Sequence, residues 1–346
     1  MGHSSCIVCS SGSPHQLIGC AGCIDKRSSA ELSEAINSMF AWYRDSEVCY
    51  AYLADIPSDR KPLEALGESS WFTRGWTVQE LLAPDRVVFC DVDWHVFGDK
   101  SSLARDISNI TGIDQITLSE KGLIGIRLAN IATKMSCFSK RHTTRVEDVA
   151  YCMLGIFDVN MPLLCGEGSK AFLRLQMEII RKSNDPSIFA LHTPKDASRY
   201  EYTAVLAPSP RFFDSSAAFV MRFAIGNTYN MTQRGLEFTT TSTRWLRRPA
   251  EPEELASGPL TVSPDFGEVQ LDCYRVINGI QCASCIVLEK LGNKWFRKRT
   301  ILRSPSEVRT LYSQGNNEKD IHSFFTNPLL ERGMLVLRHC VSGMPP

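Results

Sequence analysis

The sequence predicts an α/β fold, with an incomplete parallel-sheet unit over residues 1–115, a helical segment over 116–190 and an antiparallel β-rich unit over 191–346. Three observations carry this. Short apolar runs alternate with a helix-spaced stretch as far as residue 115, the spacing turns helical to about residue 183, and beyond Pro186 short alternating runs are punctuated by Pro, Gly and Ser.

In chain order, Leu17 to Cys23 is apolar enough for a buried strand. Ser28-Ser29-Ala30-Glu31 then fits a capping box, in which a serine hydroxyl and a glutamate three residues on satisfy the free N–H groups of a helix start. Leu32, Ala35, Ile36, Met39, Phe40 and Tyr43 follow at i, i+3, i+4, i+7 spacing, which places them on one helical face. Val48 to Ala54 is a nearly continuous apolar run, as in a strand covered on both faces. Strand, helix, strand predicts a right-handed parallel unit. After a polar loop from Pro57 to Ser70, Trp71 to Leu82 reads as a helix ended by Pro84, Arg86 to Cys90 as a strand, Asp91 to Gly98 as a turn and hairpin arm, and Ser101 to Ile110 as a helix stopped near Gly112.

In the middle segment, Thr144-Arg145-Val146-Glu147 fits a second capping box ahead of Val149, Ala150, Met153 and Leu154, Pro162 interrupts the pattern, and Ser169 to Lys182 forms a further helix. In the last third, Phe219 to Ile225, Leu236 to Thr241, Val269 to Val276 and Cys285 to Leu288 read as strands, and the proline-rich Arg247 to Pro264 as a surface loop.

Composition narrows the classes of function. The 38 basic and 38 acidic residues cancel, so no global field draws the chain to nucleic acid or an anionic membrane. There is no apolar run of roughly 18 residues to span a bilayer, and the N-terminal residues lack a secretory layout, so a soluble cytoplasmic protein is expected. Thirteen cysteines, several in apolar stretches such as Val48-Cys49-Tyr50, read mostly as reduced core residues.

Three ordered stretches carry a family resemblance: Cys23 to Phe40 (CIDKRSSAELSEAINSMF), Trp71 to Leu81 (WFTRGWTVQEL) and Arg145 to Phe157 (RVEDVAYCMLGIF), extended by Gly166 to Gln176 (GEGSKAFLRLQ). They resemble the second and third blocks of the fungal heterokaryon-incompatibility (HET) domain and the helical segment that often follows it. The resemblance covers residues 23–190, with a looser likeness beyond. It implies a signalling effector of self/non-self recognition and programmed cell death. Through a distant similarity of HET to Toll/interleukin-1 receptor (TIR) domains, it also implies a TIR-like fold and, if the protein is an enzyme, an NAD glycohydrolase-like activity with NAD as substrate. The family's first block, a strand followed by a His-Thr-Trp-Gly-like turn, has no counterpart in residues 1–22, and Cys20 and Gly22 stand where similar proteins carry Asp and Cys. Either a truncated paralogue or a misassigned chain start would give this pattern.

Cleavage of a nucleotide glycosidic bond needs a carboxylate near the developing positive charge on the ribose, at the C-terminal edge of the sheet. Asp25, directly after a strand, and Glu80 are the catalytic candidates, with Arg74 placed to bind a phosphate. The alternative is structural: Asp25 caps a helix, Arg74 and Glu80 form an ion pair, and Trp71 and Trp76 are packing anchors. Cys6, Cys9, Cys20 and Cys23 form two C-x2-C pairs with spacing acceptable for tetrahedral zinc, yet strand alternation would point Cys20 and Cys23 to opposite faces. Cys282 and Cys285 read as core.

Lys294-Trp295-Phe296-Arg297-Lys298-Arg299 interleaves aromatics with cations as single-strand nucleic-acid surfaces do, but reads as a solvated strand face, so no nucleic-acid partner is expected. Gly166-Glu167-Gly168 lacks the lysine and spacing of a phosphate loop and reads as a turn. The scattered histidines, His95 and His142 among them, give no nucleophile–base arrangement. The expected partners are proteins, a second copy included; no resident cofactor, metal or membrane partner is expected.

Overall fold

The computed structural model describes residues 5–9, 28–59, 61–119, 122–192, 205–213 and the strands that follow to residue 325. The Leu17–Cys23 strand and the Arg247–Pro264 loop expected from sequence lie outside these residues. Two compact units emerge, one of residues 1–129, 133–175 and 209–211, the other of residues 130–132, 176–208 and 212–346.

The first unit holds a four-stranded sheet in the order β1 (Ser5–Cys9), β2 (Val48–Tyr52), β3 (Val87–Cys90), β4 (Val96–Asp99). It is mixed rather than parallel. β1 pairs antiparallel with β2, from Ser5↔Tyr52 to Cys9↔Val48, and β4 folds back antiparallel on β3 through a tight turn; the parallel pair is β2–β3. β3 is buried at every position, but β2 alternates, with Cys49 and Ala51 buried and their neighbours half-exposed. A single fully covered face replaces the expected two.

Helix α1 (Ser29–Arg44) starts at Ser28, whose hydroxyl accepts from Glu31 N at 3.3 Å. The helix is therefore capped by Ser28. Its expected face is the one that packs: Ala35, Ile36, Met39, Phe40 and Tyr43 are all buried.

Helix α2 (Pro62–Ala65) precedes a break in the element expected over residues 71–82. Ser70–Thr73 form a 3₁₀ turn, and α3 spans only Thr77–Leu82. The interruption has a backbone cause: His142 N donates to Thr73 O at 2.7 Å and Gly75 N to His142 O at 2.8 Å, diverting these groups from a helical ladder. Gly75 permits the approach, because a Cβ there would sit 2.7 Å from Thr143 Cγ2.

Helices α4 (Ala104–Thr111), α5 (Gln115–Leu118), α6 (Gly122–Leu128) and α7 (Ile131–Ser136) follow, with Gly112 closing α4 at φ +76°. The second capping box does not form as read: α8 covers only Asp148–Tyr151, its cap residue Glu147 makes no side-chain cap bond, and the chain continues in turns. Helix α9 (Lys170–Lys182) is the expected one.

The second unit is antiparallel in every strand pair described. One sheet runs β10 (Lys294–Arg303), β9 (Ile280–Leu291), β8 (Phe266–Ile277), β5 (Phe219–Met221); the other runs β11 (Ile321–Phe325), β7 (Gly235–Thr240), β6 (Thr228–Thr232). Arg297 is buried in this unit, donating to Val205 O at 3.2 Å and Phe189 O at 2.9 Å, and burial pushes its guanidinium down to about 9. The basic–aromatic run is thus not a wholly solvated face. No helix among the described residues is long and apolar enough to cross a membrane.

Candidate functional site

The three sequence stretches that carry the family resemblance meet in the first unit and hold one another. Asn37 on α1 donates to Met161 O and accepts from Met161 N, each at 3.2 Å, a pairing that fixes both orphan groups of an irregular segment. Gly155 lies directly against the same helix: a Cβ added there would fall 2.0 Å from Phe40 Cβ. Gln79 Nε2 donates to Cys152 O at 2.7 Å, and Trp76 Nε1 to Asp148 Oδ2 at 3.3 Å.

Glu80 stands at the centre of this junction. The indole N–H of fully buried Trp71 donates to Glu80 Oε2 at 3.2 Å, and the Tyr43 phenol also hydrogen-bonds the carboxyl. The charges of Arg74 and Arg141 act on it as well. Burial outweighs all four and pushes the Glu80 carboxyl up to about 7. Arg141, also buried, donates through Nη1 to Arg74 O at 3.0 Å and to Thr77 Oγ1 at 2.8 Å, and burial pushes its guanidinium down to about 10. Its Nη2 and the Oε1 of fully buried Gln79 have no hydrogen-bond partner. Two thiols flank this guanidinium electrostatically: burial pushes Cys137 up to about 12, and raises Cys152 still further.

Of the residues singled out from sequence, Glu80 and Arg74 are brought together here, while Asp25 lies outside the described residues. Chemically, the arrangement is a carboxyl that hydrogen-bonds two aromatic side chains within electrostatic reach of two guanidinium groups, with its proton affinity lifted toward neutral pH by burial. Arg141 is the member that sequence reading missed. Arg141-His142-Thr143-Thr144 has no apolar periodicity or motif, and only the return of the chain beside Gly75 makes it a neighbour of Glu80.

The turn at Gly166-Glu167-Gly168 forms as expected, with φ of +83° and +58° at its glycines. Gly166 N donates to Glu147 Oε1 at 3.0 Å, and Glu167 accepts from Tyr151 and Arg174. A carboxylate of the chain itself occupies the donor that a phosphate would need.

No group of three or more His, Cys, Asp and Glu side chains among the described residues is placed to hold a metal ion. Cys6 and Cys9 lie on β1, but the side chains of Cys6, Cys9, Cys20 and Cys23 fall outside what is described. Cys90, Cys137, Cys152, Cys165, Cys273, Cys282 and Cys285 are free, whereas Cys49 is disulfide-bonded, against its reading as a reduced core residue.

No family model matches the chain, and no solved structure matches it. Among curated proteins it is similar to vegetative incompatibility protein HET-E-1 of Podospora anserina, with 45% identity over 165 residues. The match covers 45% of this chain and 12% of the relative, so the chain accounts for about an eighth of that protein's length. Over nearly half its residues, therefore, the chain is related to a fungal protein of vegetative incompatibility.

Proposed function

We propose that this chain is a heterokaryon-incompatibility-type signalling module that acts in self/non-self recognition and triggers cell death through protein–protein contacts. The observation that carries the reading is the 45% identity with HET-E-1, a vegetative incompatibility protein. The geometry supports it in one respect. Residues of the three resembling stretches hold one another, Gly155 against Phe40, Gln79 on Cys152 and Trp76 on Asp148, which suits a scaffold that presents a surface.

A second reading, NAD glycohydrolase-like cleavage, is favoured by the near-neutral carboxyl of Glu80, since displaced proton affinities cluster at reactive sites. One experiment separates the two. The chain is induced in a yeast host, and growth and cellular NAD are followed together, with Glu80→Gln alongside. The contact reading expects growth arrest while NAD stays at the uninduced level. A fall in NAD that precedes arrest and disappears in a folded Glu80→Gln protein would transfer the function to the enzyme reading. Unimpaired growth with the protein accumulating would overturn the effector reading.

A further inference from the structure

Where the parallel strands β2 and β3 end, the chain builds a second arrangement that the Glu80 junction does not use. Asp91 closes the β3–β4 hairpin: its buried carboxylate accepts from Asp93 N and His95 N, both at 2.9 Å, and lies 3.4 Å from His95 Nδ1. The turn holds Trp94 at φ +65°, a left-handed conformation that bulky residues rarely adopt, and leaves it 47% exposed. Tyr52, the last residue of β2, stacks on the indole with ring centroids 4.6 Å apart and planes 17° from parallel, and its hydroxyl donates to Val92 O at 3.1 Å. One indole face is therefore covered and braced. The remainder meets solvent between exposed Val92 and Val96.

The surroundings are acidic. Ser58 donates to Asp93, which brings the loop carrying exposed Asp59 against the turn, and Val92 N donates to Ile56 O at 3.0 Å, beside exposed Asp55. Burial opposes the Asp55 charge, but Ser70 and Ser69 hold its carboxyl below the usual range. In the same loop Lys61 pairs with Glu64 at 3.3 Å, and Arg60 lies outside the described residues.

We propose that this face docks a cationic segment of a partner protein, with an arginine side chain lying on the indole of Trp94 among the carboxylates of Asp55, Asp59 and Asp93. An aromatic face is the negative end of a quadrupole, and guanidinium planes stack on it while bonding neighbouring carboxylates. The same carboxylates repel phosphate, which sets a nucleotide aside as the occupant. A strained, solvent-facing tryptophan braced from beneath is preorganised for contact rather than for the core. This inference rests on the contact reading above and names the chemistry of the contact.

The test is calorimetric titration of the purified full chain with a short peptide alternating arginine and alanine, and with the same peptide carrying neutral citrulline in place of arginine. The arginine peptide is expected to bind more weakly as salt rises, and the citrulline peptide about tenfold or more weaker still. Trp94→Asn is expected to lose about tenfold or more of the affinity, Trp94→Phe to keep part of it, and Asp93→Asn to weaken binding chiefly at low salt. Asparagine tolerates the left-handed conformation, so an unchanged melting temperature in Trp94→Asn separates lost docking from lost folding. Equal binding by Trp94→Asn and wild type, or equal affinity for the two peptides, overturns the proposal. So does a dimer that Trp94→Asn dissolves, which would assign the face to a second copy. Because binding is read on purified protein, failure here leaves the growth-arrest result standing, and failure of growth arrest leaves a positive titration standing.

Discussion

Glu80 and Gly155 show two different ways in which one residue constrains this protein. The Glu80 carboxyl, raised from 4.5 to about 7 chiefly by burial, keeps its proton in the folded chain where the unfolded chain has released it. Stability is therefore full below about pH 4.5 and declines as pH rises through about 7, by on the order of 3 kcal/mol. The melting temperature of the wild type is expected to fall between those pH values. Glu80→Gln, which retains an acceptor for Trp71, is expected to flatten that slope, and an unaltered slope would place the titration elsewhere. Gly155 is a steric constraint. In Gly155→Ala the new methyl would overlap Phe40 Cβ, an atom that every residue except glycine carries, so Phe40→Ala cannot restore the fit. Denaturant unfolding should show Gly155→Ala costing about 1–3 kcal/mol or more, with no rescue in the double variant.

At the scale of elements, the first unit is tied together by side chains that replace regular backbone pairing. Helix α1 is long, capped and amphipathic, and its face was legible because six apolar residues at helical spacing have few other uses. The segment that lies on it, Gly155 to Met161, has turns and an Asp158 at φ +52°, and its backbone groups look to Asn37 for partners. Asn37→Ala would leave Met161 N–H and C=O without that side chain, at an expected cost of about 1–3 kcal/mol. Hydrogen exchange at the Met161 amide should accelerate before that of the α1 amides; an unchanged Met161 rate would show that Asn37 is not its protection. The split of the expected 71–82 helix follows the same logic, since local spacing favours one helix while His142, remote in sequence, takes the backbone groups of Thr73 and Gly75.

Across the whole molecule, the thiols report on which unit opens. Cys165 is exposed and Cys282 half-exposed, whereas Cys137 and Cys152 are buried beside Arg141 and resist ionisation. Since the thiolate is the reactive form, alkylation of the native protein is expected to modify Cys165 first among the described thiols, with Cys137 and Cys152 reacting only as the first unit unfolds. Peptide mass spectrometry over a denaturant series reads the order. Modification of Cys137 or Cys152 under native conditions would show that the junction opens locally.

The sequence by itself determined the mixture of helix and strand, helix α1 with its serine cap, helix α9, the antiparallel character of the second unit and the likeness to the incompatibility family. The elements rest on periodicity, capping and turn chemistry, which act over a few residues and so leave a mark in the local order of the chain, and the likeness rests on the three ordered stretches that carry it. It also brought Glu80 and Arg74 to attention, through the stretch Trp71 to Leu81. Tertiary structure alone decided that β1 and β4 make the sheet mixed, that Arg297 turns into the core, and that Arg141 and Tyr43 close around Glu80. It alone placed Trp94 on Tyr52. In each case the deciding contact joins residues far apart in the chain, and burial, which moves the Glu80 proton to neutral pH, is a property of the packed whole that no local spacing encodes.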